Sequence, residues 1–179
     1  MGQHGKSCLC VKQKDHDNGD RGFEHGLERF YGRIWYNSSM LVDEAKIEVE
    51  GGHGGAGKAS FFKKGRGPDG GNGGKGGDLY VAATTDLFAL NRYVGKTHFA
   101  AENGESGGSN RKSGHNASDL TISMPVGTEI SDLETEEVFE INSPDTKILL
   151  CRGGIGGLGN ADRACARMTT PIYAQHGLA

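Results

Sequence analysis

Short runs in which apolar and polar residues alternate carry most of the patterned sequence beyond Met40. Alternation is the period of two that sets successive side chains on opposite faces of a strand. Val42, Ala45, Ile47 and Val49, with acids and Lys46 between them, predict a half-buried strand. Residues 79–83 predict a second, and residues 97–101 a short extended piece. Leu120, Ile122 and Met124 alternate with Thr121 and Ser123, and the run ends at the turn-forming Pro125-Val126-Gly127-Thr128. Residues 129–131, 138–141 and 147–151 complete a meander, with turns at Asp132-Leu133-Glu134 and Ser143-Pro144-Asp145. Residues 87–93 fit either a helical turn capped by Asp86 or a further strand. The pattern predicts an all-β protein built on a small core. Residues 1–39 are polar and without clear periodicity apart from the cluster Phe30, Tyr31, Ile34, Trp35 and Tyr36, and read as a flexible N-terminal extension.

Between the strands runs a different period. In residues 51–77, Gly51, Gly54 and Gly57 share one phase of three, and Gly67, Gly70, Gly73 and Gly76 share another. A second glycine follows many of them, at 52, 55, 71, 74 and 77. Three residues per turn belongs to the polyproline-II helix, which has no internal hydrogen bonds, and glycine at every third position lets two such backbones approach closely. The phrase returns at Gly153, Gly154, Gly156, Gly157 and Gly159, and more loosely over residues 104–114. A flexible linker would not be expected to recur between well-patterned strands. The glycines at 51, 54, 67, 70, 73, 76, 153, 156 and 159 therefore read as structural.

Composition sharpens this picture. At 179 residues the chain is one domain, or one domain with a tail, and 31 glycines leave little room for a large helical core. The net charge is -3, but its distribution is uneven. Lys58, Lys63, Lys64, Arg66 and Lys75 share the first glycine stretch with the lone acid Asp69, while Glu129, Asp132, Glu134, Glu136, Glu137 and Glu140 crowd together. A mildly acidic body with basic loop tips suits a polyanion bound locally. Cys8, Cys10, Cys151 and Cys165 lack paired spacing, so they read as free thiols of a reducing cytoplasm. His4, Cys8, Cys10, His16 and His25 match no standard metal site. No apolar run is long enough to span a bilayer, so no membrane partner is expected, and the start lacks a signal-peptide pattern.

Two glycine phrases imitate nucleotide sites. Gly52 to Ala59 has the spacing of a phosphate-binding loop, but alanine stands where Ser or Thr must hold Mg²⁺ and no hydrophobic helix follows. Gly153-Gly154-Ile155-Gly156-Gly157-Leu158 follows a strand but lacks the α/β alternation of a dinucleotide fold. No nucleophile–base grouping is evident, and the chain reads as non-catalytic, with no cofactor of its own.

The phrases together resemble the N-terminal domain of the Obg (CgtA, GTP1/Obg) family of GTPases. They run from Met40-Leu41-Val42-Asp43-Glu44-Ala45-Lys46-Ile47 through Gly51-Gly52-x-Gly54-Gly55 to Gly67-Pro68-Asp69-Gly70-Gly71-Asn72-Gly73-Gly74-Lys75-Gly76-Gly77-Asp78. Phe99-x-Ala101-Glu102-Asn103-Gly104, Pro125-Val126-Gly127-Thr128, Arg152-Gly153-Gly154-x-Gly156-Gly157-Leu158-Gly159-Asn160 and Pro171-Ile172-Tyr173-Ala174-Gln175-His176-Gly177 follow in order. The resemblance covers residues 40–179 and implies an Obg fold, a small β-barrel beside a bundle of polyproline-II helices. It also implies late assembly of the large ribosomal subunit, with ribosomal RNA as the partner. The family's GTPase domain, with its GTP and Mg²⁺, would follow residue 179, so this stretch alone is expected not to hydrolyse GTP. The loop from Phe62 to Gly67 is shorter than the family's basic-aromatic version, and Ala117-Ser118 replaces a more usual Gly-Glu. Residues 1–39 have no counterpart, and read as an extension, a tag-like addition or a start placed too far upstream.

Lys63, Lys64, Arg66, Lys75, Arg111, Lys112 and Arg152 are the expected RNA contacts, meeting phosphates and giving salt-dependent affinity rather than base specificity. The alternative is a protein-interaction or regulatory module that uses the acidic stretch 129–140 against a partner protein or a GTPase domain.

Overall fold

The computed structural model describes residues 6–13, 42, 44–63, 65, 67–133 and 135–179. Among the described residues eight strands form two sheets: β1 (Lys6–Gln13), β2 (Glu44–Glu50), β3 (Leu79–Thr84), β4 (His98–Ala100), β5 (Leu120–Pro125), β6 (Thr128–Asp132), β7 (Val138–Ile141) and β8 (Lys147–Cys151). One sheet has the order β4-β2-β1-β6-β7 and the other β5-β3-β8. The chain is therefore all-β as the alternation predicts, but the described strands do not close into a barrel. The edge strands β4 and β7, three and four residues long, pair with no strand of the other sheet.

Strands β2, β3 and β5–β8 fall where alternation places them. Residues 87–93 resolve as a 3-10 turn, Ala89–Tyr93, that buries Ala89, Leu90 and Tyr93. Part of the N-terminal segment departs from expectation, while residues 1–5 and 14–39 lie outside the described residues. Residues 6–13 are not a flexible extension but the central strand of the larger sheet, antiparallel to β2 and to β6. Leu9 and Val11 alternate into the core, at 2% and 0% exposure. Only two large apolar residues, set among cysteines and lysines, mark this strand, and pairing on both flanks fixes it.

The core joins both sheets: Leu9, Val11, Ile47, Val49 and Ile130 from one, Leu79, Val81, Ile122 and Met124 from the other. Each such side chain contributes about 1.5–3 kcal/mol on burial. Tyr93 closes one end, its hydroxyl donating to the Ser123 carbonyl at 2.6 Å and its ring edge-on to Phe99 at 5.4 Å. Among the described residues Cys10, Cys151 and Cys165 form no disulfide.

Five strands run on directly into glycine segments. β2 and β4 pair in parallel, and the segments that follow them keep that pairing: Ala101 N–H donates to the Glu50 carbonyl, Gly104 to His53 and Gly107 to Ala56. The segments leading into the parallel pair β3 and β5 do the same, with Ala117 donating to Lys75 and Leu120 to Asp78. β8 continues antiparallel to its neighbour through Gly153 and Gly154. The glycine bundle is thus an outgrowth of the two sheets, in which the ladder period changes from two to three.

Candidate nucleic-acid interface

The glycine segments lie side by side outside any helix or strand. Their backbone N–H groups bond across to neighbouring segments at three-residue intervals. Gly52, Gly55 and Lys58 donate to Gly77, Gly74 and Gly71, and these last three donate in turn to Glu102, Glu105 and Gly108. Gly73 and Gly76 donate to Gly157 and Gly154, while Gly154, Gly157 and Asn160 donate to Gly52, Gly55 and Lys58. Arg111, Gly114 and Ala117 donate to Asp69, Asn72 and Lys75, and Gln175 and Leu178 to Leu158 and Ile155.

Contact at this range leaves no room for side chains between segments. A Cβ on Gly52, Gly54, Gly70, Gly73, Gly76, Gly153, Gly156 or Gly159 would overlap a neighbouring carbonyl group. Both glycine phases are equally tight, since a Cβ on Gly55, Gly71 or Gly74 meets the same obstruction. Gly51 is packed likewise, against the Arg152 carbonyl. Gly67 is different. It faces open space, and its φ of +89° is what requires glycine.

The resemblance to a phosphate loop at 52–59 fails on this geometry. The N–H groups of Gly52, Gly54, Gly55, Gly57 and Lys58 are all used within the bundle, so these five do not cradle a phosphate. At residues 153–159 the N–H groups of Gly153 and Gly159 serve Asp78 and Asn72, and those of Gly154 and Gly157 serve the first segment.

Segment direction sorts the predicted RNA contacts into two groups. Residues 58, 71, 108, 112 and 160 meet at the end of the bundle remote from the sheets, and residues 52, 77, 102 and 154 meet beside the sheets. A hairpin extends the remote end: Phe61 bridges to Pro68, Phe62 N–H donates to Gly67 and Asp69 N–H to Ser60. Lys63 is exposed near its tip, and Gly65 takes φ +68° there. Lys64 and Arg66 lie outside the described residues. Arg111 and Lys112 are exposed at the same end. Asn110 and Arg111 hold φ of 58° and 56°, tied down by bonds of 2.9 Å and 2.6 Å from their N–H groups to the Asp69 side chain and carbonyl.

Lys75 and Arg152 do not join this group. Lys75 sits part-way toward the sheets and is engaged by Asp78 at 2.7 Å, while Arg152 follows β8 directly. Two further cations occupy the remote end: exposed Lys58, and Arg163 stacked 5.1 Å over the Tyr173 ring. Along the chain Lys58 directly follows Gly57 and Arg163 stands four residues past Gly159, positions that by themselves single out neither. Phe61, 45% exposed, and Tyr173, 47% exposed, place aromatic faces among these charges, the combination on which unpaired bases stack.

Two polar residues lock this end. Asn160 is wholly buried, and its side-chain oxygen accepts from the N–H groups of Ser60 at 3.3 Å and Gly70 at 2.8 Å. Its amide donates to the carbonyls of Ser60 at 2.9 Å and Pro171 at 3.1 Å. Asp69 is also buried. The adjacent Ser60 hydroxyl, with the Asn110 N–H, holds its carboxyl below the usual aspartate range against the opposing effect of burial. Toward the sheets Asp78 is lowered too, first by the Lys75 ammonium and then by the Gly153 N–H.

Among the described residues no cluster of His, Cys, Asp and Glu is placed to hold a metal ion, and no helix is long and apolar enough to cross a membrane. What the geometry defines is a stiff glycine bundle that grows from a β body and ends in a positively charged tip. The chain belongs to the GTP1/OBG family, whose family model matches residues 42–179. Its relatives include the protein named GTPase Obg of Coprothermobacter proteolyticus, 43% identical over 142 residues that make up 77% of this chain and 34% of that protein. The GTPase Obg of Persephonella marina is 41% identical over 142 residues, 76% of this chain and 42% of that protein. That of Flavobacterium johnsoniae is 43% identical over 144 residues, 77% of this chain and 43% of that protein. The chain thus spans well under half the length of these curated relatives.

Proposed function

We propose that this chain carries the RNA-binding Obg domain of a ribosome-assembly factor, that its glycine segments are polyproline-II rods, and that its partner is ribosomal RNA of the large subunit. The three-residue spacing of the cross-bonds supports the rods, because it matches the three residues per turn of that helix. The observation that carries the RNA reading is the convergence of Lys58, Lys63, Arg111 and Lys112 at the end of the bundle farthest from the sheets. Rods held together by backbone bonds let a slender tip enter a narrow RNA cleft without losing its shape. Cations there contact phosphates and confer affinity that falls with salt. GTP hydrolysis, on this reading, belongs to the longer relatives, and the glycine domain itself takes neither GTP nor Mg²⁺. The setting is the cytoplasm.

Co-sedimentation with purified large ribosomal subunits at low salt tests the reading. Association that weakens steeply between about 50 and 200 mM salt is the expected result, and no association at low salt contradicts it. A second reading, a protein partner for the acidic face, is favoured by the β6–β7 hairpin. There Glu129 lies directly opposite Glu140, and Leu133 and Val138 are exposed at the sheet edge. Nuclease treatment of a pull-down separates the two, since an RNA-mediated partner is lost on digestion.

A further inference from the structure

The strand that the family match leaves out is the one at the centre of the larger sheet. Matched residues begin at 42, whereas β1 spans Lys6–Gln13 and pairs with β2 over seven positions and with β6 over five. The matched body therefore supplies β4-β2 on one side and β6-β7 on the other, and a slot one strand wide lies between them. Both edges of that slot run antiparallel to the strand that fills it. β1 and β2 are antiparallel neighbours whose adjoining ends meet at Lys12 and Glu44. Such a pair needs only a loop of about two to five residues, yet residues 14–43 separate them. The connection is far longer than the pairing requires, so the pairing does not depend on a tight turn.

We infer that the groove between β2 and β6 is a strand-acceptor site whose ligand is this chain's own residues 6–13, replaceable in trans by a strand of the same pattern. The specificity is written in the register. The inward face of the ligand offers Leu9 and Val11, which enter the core beside Ile47, Val49 and Ile130. On its outward face Lys12 stands between Glu44 of β2 and Glu129 of β6, with Glu140 next in the same row, so it is the only cation in a row of carboxylates. The Cys10 thiol donates to Glu44 at 3.2 Å, adding a further link to β2. Backbone pairing on both sides supplies affinity, and alternate side chains supply selectivity, as in recognition by β-strand addition. The site thus selects an extended peptide with apolar residues two apart followed by a cation. This inference is independent of the RNA reading, which concerns the opposite end of the bundle.

The test uses the full chain with a specific protease site placed within residues 14–41. After cleavage the N-terminal fragment is expected to co-elute with residues 42–179 on size exclusion. A fluorescent peptide of residues 6–13 is expected to exchange into the complex. A peptide carrying Val11→Asp should bind at least about a hundredfold more weakly, because it buries a carboxylate in the core. One carrying Lys12→Glu should bind about fivefold more weakly, by placing like charges opposite one another. If removal of the fragment unfolds the remainder, recovery of its β circular dichroism on adding the peptide also supports the site. Loss of the fragment on cleavage with no rebinding of peptide, or equal binding of the parent and Val11→Asp peptides, overturns it.

Discussion

In the two sheets the buried atoms are side-chain carbons, with Leu79, Val81, Met124 and Ile130 fully covered. In the glycine bundle they are mainly backbone atoms, with the side chains of Asn160 and Asp69 among them, and the cohesion is a lattice of N–H to carbonyl bonds between segments. The two halves are continuous, since the same chains pass from one to the other without a break in pairing. They nevertheless answer to different rules. A sheet core responds to volume and tolerates small hydrophobic exchanges. A glycine in the bundle whose Cβ position is already occupied by a neighbouring carbonyl tolerates no side chain there. The low hydrophobic content of the chain, 35%, is therefore no sign of a loose structure. Much of what the structure describes does not use apolar side chains for cohesion.

Substitutions that add or remove a few atoms should break the two halves unequally. Gly73→Ala, whose Cβ would overlap the Gly55 carbonyl, is expected to cost about 4 kcal/mol or to abolish folding. Gly127→Ala, at φ +88° in open space between β5 and β6, should cost only about 1 kcal/mol. Urea unfolding followed by circular dichroism compares them, and equal losses would remove the distinction. Asn160→Ala deprives buried groups of Ser60, Gly70 and Pro171 of their partner. It is expected to cost about 3 kcal/mol, and hydrogen exchange should rise at the remote end of the bundle before it rises in the sheets. Ile130→Val, a core change of one methylene, should cost about 1 kcal/mol.

Acid should loosen the bundle before the sheets. Asp69 and Asp78, both in the bundle, have carboxyls held below the ordinary aspartate value. A carboxyl with a lowered folded pKa stabilises fully above the unfolded value, about 3.9, and loses that contribution as pH falls through the folded value. Stability should therefore be level from neutral pH to about pH 5 and decline below about pH 4. Asp78→Asn should start from a lower plateau and show a shallower decline. An acid profile unchanged by that substitution would remove Asp78 from the explanation.

How much of this was legible depends on whether a residue's role is set locally. Alternation marks β2, β3 and β5–β8 because each has a wet face and a dry one. It misses β1, where Leu9 and Val11 are too few to set a period and pairing with β2 and β6, distant in sequence, does the rest. A seven-residue stretch at 87–93 is too short to separate a helical turn from a strand. The glycine period reveals close-packed segments but not their partners, because which carbonyl lies opposite Gly73 is a matter of tertiary placement. The same limit applies to the cations. Lys63, Lys75, Arg111, Lys112 and Arg152 look alike along the chain, and only the direction of the segments sets Lys63, Arg111 and Lys112 apart from Lys75 and Arg152. Lys58 and Asn160 owe their importance to the same geometry and carry little local signal.

Matched charge reversals at the two ends of the molecule test the proposed RNA contact most directly. Lys63→Glu, Arg111→Glu and Lys112→Glu together change the remote tip, while Lys96→Glu, Lys147→Glu and Arg152→Glu together make the same change in charge at the sheet end. Binding to large ribosomal subunits is measured for both at several salt concentrations. The tip variant is expected to lose at least about tenfold in affinity and to show a salt slope shallower by about 2–3, with the sheet-end variant close to the parent. Equal losses in both, or a loss confined to the sheet-end variant, would contradict the assignment of RNA contact to the tip of the bundle.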